Sequence, residues 1–146
     1  MAFIHIREVL DASMVGKEVS LRGWVYRKRD QKDIAFLVLR DSTDIIQLAC
    51  KGIKEASEAT IESSIEVTGT VKEDKRAPGG FEIQAKSIKI IGLAETFPIA
   101  KDLSDEFTRD IRHLWIRSQK LVKTLKVRSE VIRAIHDFYQ ERGFYE

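Results

Sequence analysis

Cysteine is almost missing from this sequence: Cys50 stands alone among 146 residues. A single thiol excludes an internal disulfide and any cysteine-rich zinc site. Histidine is scarce too, and His5, His113 and His136 are too far apart in sequence for metal-ligand spacing. No glycine motif of the phosphate-cradling kind is present, and the triplet Pro78-Gly79-Gly80 marks a turn. No apolar run approaches the roughly 20 residues that cross a bilayer, and the N-terminus lacks the basic-then-apolar layout of a signal peptide. The expectation is a cytoplasmic protein with no membrane association, no metal site and no catalytic constellation.

What is there suits a folded core. The chain is 43% hydrophobic and 33% charged, with a formal net charge of +2 and a pI near 8.7. So weak a surplus neither requires nor excludes a nucleic-acid partner, so the placement of charge matters more than its sum. Lys17, Arg22, Arg27, Lys28 and Arg29 cluster early and Arg40 follows, whereas Glu55, Glu58, Glu62 and Glu66 make a later acidic group.

From Val19 the sequence alternates, with Val19, Leu21, Gly23 and Val25 on one face and Ser20, Arg22, Trp24 and Tyr26 on the other. This is the period of a half-buried strand. Arg27 and Arg29 would then fall on the apolar face, so a bend or bulge is expected near the strand's end. A turn at Asp30-Gln31-Lys32-Asp33 leads to a second strand over 34–40, with Ala35, Leu37 and Leu39 opposite Phe36, Val38 and Arg40. After a turn at 41–44, a third strand from Ile45 sets Ile46, Leu48 and Cys50 against Ile45, Gln47 and Ala49, which makes Cys50 a buried structural thiol. The period lengthens over 53–64, where Ile53, Ala56 and Ile61 suggest a helical stripe, and strands return at 65–71 and 81–91.

Three strands, a helix and two strands is the order of an OB-fold, a five-stranded Greek-key barrel with its helix between strands three and four. SH3-like barrels and small sandwiches lack a helix there. The fold class is therefore mainly β, with the barrel at 1–92, a connector at 93–117 and an amphipathic helix within 118–146. In that helix Leu121, Val122, Leu125, Ile132, Ile135, Phe138 and Tyr139 recur at helical spacing, Gly143 gives a stop, and the apolar stripe calls for a partner surface. The end at Phe144-Tyr145-Glu146 carries no terminating signal and reads as a truncation.

The informative side chains are not catalytic. Strands two and three of an OB-fold form its oligonucleotide platform. Phe36 and Arg40 face outward from strand two, Gln47 from strand three, and Arg29 lies at the end of strand one. An exposed ring stacks on a base for about 1–3 kcal/mol, an amide pairs with a base edge, and arginines engage phosphates. Two readings stay open, since Phe36 could instead plug a barrel end with Gln47 solvated. Trp24 could stack on a base, though its pattern favours covering a barrel end or packing on a neighbouring loop.

Three blocks go further: Gly23-Trp24-Val25-Tyr26-Arg27-Lys28-Arg29, Phe36-Leu37-Val38-Leu39-Arg40-Asp41 and Ile45-Ile46-Gln47. In order and spacing they resemble the anticodon-binding domain of class IIb aminoacyl-tRNA synthetases, the aspartyl, asparaginyl and lysyl enzymes. The asparaginyl branch is indicated by Arg76-Ala77-Pro78-Gly79-Gly80-Phe81-Glu82, by Phe97-Pro98-Ile99, and by Ser104-Asp105-Glu106-Phe107 running on to Arg112-His113-Leu114-Trp115-Ile116-Arg117-Ser118. The resemblance implies that Phe36 stacks on the central anticodon uridine and that Arg29 and Gln47 recognise anticodon bases, Gln47 the first. Lys28 and Arg40 complete the expected tRNA-binding set. Many relatives have glycine in the first turn, where this chain has Gln31-Lys32-Asp33. The resemblance also implies a parent enzyme, a homodimer, that joins asparagine to tRNA with ATP and magnesium. The present chain would bind the anticodon stem-loop without cofactor or catalysis, its last helix leading toward class II motif 1. An aspartyl enzyme, one charging both tRNAs, or a free-standing single-stranded nucleic-acid module are the alternatives.

Overall fold

The computed structural model describes residues 2–99 and 104–145. Residues 100–103 of the expected connector, and Glu146 at the expected truncation, lie outside the described residues. The chain divides into two compact units, Met1–Phe97 and Pro98–Glu146.

The first unit is a closed barrel of strand order β1-β2-β3-β5-β4, built from β1 (Glu18–Gln31), β2 (Ile34–Arg40), β3 (Ile45–Lys51), β4 (Ser64–Glu73) and β5 (Phe81–Gly92). Closure removes the exposed edges that short strands would otherwise present. β1 spans two neighbours: Glu18–Trp24 pair with β4 and Trp24–Gln31 with β2. The strand can change partners because Gly23 has no side chain, as a Cβ there would sit 2.3 Å from the Arg40 carbonyl oxygen. Leu21, Val25, Leu37, Leu39, Ile46, Leu48 and Ile83 point inward and are almost wholly buried, each burial stabilising by about 1.5–3 kcal/mol. Cys50 joins them, and burial pushes its thiol up to about 12.

The expected bulge is present. β1 loses register with β2 between Val25 and Arg27, which leaves Tyr26 as the extra residue. The expected first turn is shorter than four residues, because Asp30 and Gln31 still pair with Ala35 and Ile34 and only Lys32 and Asp33 turn the chain.

The helix between strands three and four is also shorter than its pattern. α2 covers Lys54–Glu58 (α1 is the single turn Ile6–Val9), and the helical stripe over 53–64 breaks after Ala59. Glu62 then takes a left-handed backbone with φ 68°. Ile61 consequently faces solvent, while Ala56 and Ala59 close the barrel's end. Five residues cannot hold a helix unaided. The missing support comes from Lys28, whose ammonium donates to the carbonyl oxygens of Ser57 and, at 3.2 Å, of Ala59. A cation at a helix C-terminus meets the negative end of its dipole.

α1 is tied to the β2–β3 turn through Asp41, whose carboxylate accepts from the Ile6 N–H at 2.8 Å and from Thr43 and Asp44. Burial raises the Asp41 pKa, but these hydrogen bonds outweigh it and hold the carboxyl below its ordinary value.

In the second unit α3 (Asp105–Asp110) and α4 (Arg112–Trp115) occupy part of the stretch expected to be an irregular connector. Ser104 caps α3, accepting from the Phe107 N–H at 3.2 Å. α5 runs Gln119–Gln140 with Ser118 as its cap, and Gly143 takes a left-handed φ just past its end. None of the residues in α5 is buried, and Leu125, Val131, Ile132, Ile135 and Phe138 lie exposed along it. No helix among the described residues is long and apolar enough to cross a membrane.

Candidate nucleic-acid interface

Strand pairing arranges the outer side chains of β1, β2, β3 and β5 in rows. One row is Arg29, Phe36, Ala49 and Gln84, and the next is Arg27, Val38, Gln47 and Glu82. Their facing follows from the alternation of β2 and β3, which sends Ala35, Leu37, Leu39, Ile46 and Leu48 inward. The bulge completes the arrangement: without the extra residue at Tyr26, Arg27 and Arg29 would point into the core. With it, Arg29 lies directly opposite Phe36 and both arginines are exposed.

Phe36 is half-buried, with Arg29 on one side of its row and Ala49 on the other. Ala49 carries only a methyl group beside the ring. One row away, Gln47 Nε2 donates to Glu82 Oε2 at 3.2 Å. Glu82 is 5% exposed, and Lys72 Nζ lies 4.0 Å from its other oxygen. A carboxylate only accepts, so Glu82 fixes which end of the Gln47 amide it meets, leaving the carbonyl and one N–H for a ligand. The surface therefore joins an aromatic ring, an oriented amide and two guanidinium groups, the components that bind single-stranded nucleic acid.

The five expected contact residues do not all gather here. Arg29, Phe36 and Gln47 do. Lys28 does not: past the bulge it pairs opposite the inward-facing Leu37, and its ammonium is spent on the end of α2 and on Asp30 at 3.5 Å. Arg40 is also withdrawn, with Nη2 2.8 Å from Glu62 Oε2 and side chains 15% and 7% exposed respectively. Its guanidinium lies 5.4 Å from the Tyr26 ring centre. Trp24, expected to cover a barrel end or to pack on a neighbouring loop, is 46% exposed and lines a cleft of about 410 Å³ with Phe3, Arg22 and Ile91.

Arg27, Glu82 and Gln84 belong to the surface but escape the sequence reading. The signal for Arg27 was available, since a bulge that turns Arg29 outward must turn Arg27 outward with it. No signal marks Glu82, because its partnership with Gln47 depends on the parallel pairing of β3 with β5.

Residues 19–91 match the model of the OB-fold nucleic acid binding domain. The chain belongs to that family. Its similarity to known proteins extends beyond the barrel. It is 42% identical over 150 residues to the asparagine–tRNA ligase of Thermoplasma acidophilum, an alignment covering 98% of this chain and 35% of that protein. With the asparagine–tRNA ligase of Thermococcus kodakarensis it shares 44% identity over 139 residues, covering 91% and 32%. The chain thus spans about a third of the length of the curated relatives it matches. Among solved structures, asparaginyl-tRNA synthetase from Pyrococcus horikoshii complexed with asparaginyl-adenylate superposes with a TM-score of 0.86 at 34% identity, over 99% of this chain and 36% of that one. An aspartyl-tRNA synthetase from Entamoeba histolytica gives 0.83 at 20% identity over 99% and 38%, a likeness of fold alone. The likeness to the asparaginyl branch carried by the sequence blocks is borne out by these relatives.

Proposed function

We propose that this chain reads the anticodon of an asparagine tRNA as part of an asparagine–tRNA ligase. The observation that carries the reading is the row Arg29–Phe36–Ala49 beside the Glu82-oriented Gln47. In this reading Phe36 stacks on the central uridine of the anticodon, Gln47 meets the edge of the first base, and Arg29 engages a base or phosphate beside the ring. Arg27 adds a phosphate contact. Lys28 and Arg40 act through the barrel and not by touching RNA.

The whole protein would join asparagine to its tRNA in the cytoplasm, with ATP and magnesium and as a homodimer. The chain alone would bind the stem-loop without catalysing the ligation, and its helical segment from Ser118 would lead toward motif 1. Asparagine and aspartate anticodons differ only at the third base, so an aspartyl enzyme, or one serving both tRNAs, is the second reading. The asparaginyl relatives at 42% and 44% identity favour the first.

Loss of the Phe36 ring tests the proposal. Phe36→Ala should weaken binding to an asparagine-anticodon stem-loop about tenfold or more, the loss of one stacking contact of about 1–3 kcal/mol. Equal binding by both proteins would refute it.

A further inference from the structure

The bulge that turns Arg27 and Arg29 outward is enclosed by a closed circuit of contacts. The Glu62 N–H donates to the Val25 carbonyl at 2.7 Å, and the Val25 N–H donates to the Ser63 carbonyl at 2.9 Å. The Glu62 carboxylate accepts from Arg40 Nη2 at 2.8 Å. The Arg40 guanidinium lies 5.4 Å from the ring centre of Tyr26, the bulged residue itself. The Arg27 guanidinium is also 5.4 Å from that ring. Tyr26 therefore stands between a withdrawn arginine and an exposed one.

Stability alone is a poor explanation for this circuit. Glu62 takes a left-handed backbone that a glycine would adopt without strain. A buried ion pair is weak evidence of stabilisation, since taking both charges out of water offsets their attraction. Arg40 Nη1 is buried without a hydrogen-bond partner among the described residues, a further cost. What the circuit does provide is one fixed geometry for the bulge.

We propose that Arg40 and Glu62 are positioning residues: through Tyr26 and the Val25 backbone they set the aim of Arg27 and Arg29 on the base-reading face, and so govern discrimination between anticodons. This rests on the anticodon reading proposed above. Arg40, on this view, acts on RNA at one remove.

The test uses the full chain and a double variant, Arg40→Met/Glu62→Gly, in which neither charge is left buried alone and position 62 receives a residue suited to its backbone. The readout is the ratio of affinities for an asparagine-anticodon stem-loop and for the same stem-loop with a scrambled anticodon. The double variant should lose far more affinity for the asparagine-anticodon stem-loop than for the scrambled one, so that the ratio falls about tenfold, the order of one base contact. An unchanged ratio, or equal weakening toward both RNAs, overturns the inference. If the double variant fails to fold, Arg40→Lys, which keeps a cation beside Glu62 but loses the planar group next to Tyr26, is judged by the same ratio. A wild-type chain that shows no discrimination defeats the anticodon reading, whereas a discriminating wild type with an equally discriminating variant defeats only this inference.

Discussion

At the scale of single residues, environment decides what a side chain of given chemistry can do. Phe36 and Arg40 share the outer face of one strand, yet one ring is presented and the other group is withdrawn to Glu62. Asp41 shows a similar commitment, with every oxygen engaged by the start of α1 or by its own turn. Its folded pKa is depressed, so the stability it contributes is present above the unfolded value, about 3.9, and is lost as pH falls through the lower folded value. Asp41→Asn should therefore cost about 1–3 kcal/mol at neutral pH and flatten the fall in stability below about pH 4. Urea unfolding of both proteins across the acid range checks this; parallel curves would show that Asp41 contributes no such linkage.

Residue patterns revealed part of this arrangement. The outward facing of Phe36 and Gln47 follows from the period of two in β2 and β3, where each neighbour of opposite parity is apolar. The bulge could be inferred because Arg27 and Arg29 would otherwise lie in the core. The fates of Lys28 and Arg40 could not be read, because their partners, the end of α2 and Glu62, are brought near only by barrel closure.

At the scale of elements, the short α2 depends on what surrounds it. Its sequence suggested a longer helix because Ile61 fell at helical spacing, but the left-handed turn at Glu62 diverts the chain toward β4. α3 went unread although Ser104 followed by Asp105 and Glu106 is a helix-start signature. Because Lys28 holds the last carbonyls of α2, Lys28→Met should lower barrel stability by about 1–2 kcal/mol. It should leave the salt dependence of RNA binding unchanged, since its charge is turned away from the platform. A clear drop in that slope would instead mean that Lys28 meets a phosphate. Gly23→Ala should destabilise more, by about 1–3 kcal/mol, because its methyl would meet the Arg40 carbonyl where β1 changes partners; an unchanged melting temperature would argue against that close approach.

At the scale of the whole molecule, a chain of net charge +2 would bind RNA through the placement of its charge and not through its sum. The two arginines that the bulge turns outward are exposed on the platform, where they can displace counterions from phosphates. Arg27→Gln should therefore reduce the slope of log affinity against log salt by about one, and titrations at several salt concentrations would show it. The barrel order was legible as a whole because each strand carried its own period and each turn its own breaker. The likeness to asparagine–tRNA ligases was legible only through blocks of family sequence, since nothing in a stacking platform names the amino acid that such a ligase attaches.

A platform that reads an anticodon must do more than hold single strands: it must tell one base from another. The most direct measurement is the affinity of the wild-type chain, at fixed salt, for an asparagine-anticodon stem-loop and for the same stem-loop with its central uridine replaced by a purine. A loss of about tenfold or more is expected, since one mismatched recognition position costs on the order of 1–3 kcal/mol. Equal affinity for the two RNAs would contradict the anticodon reading.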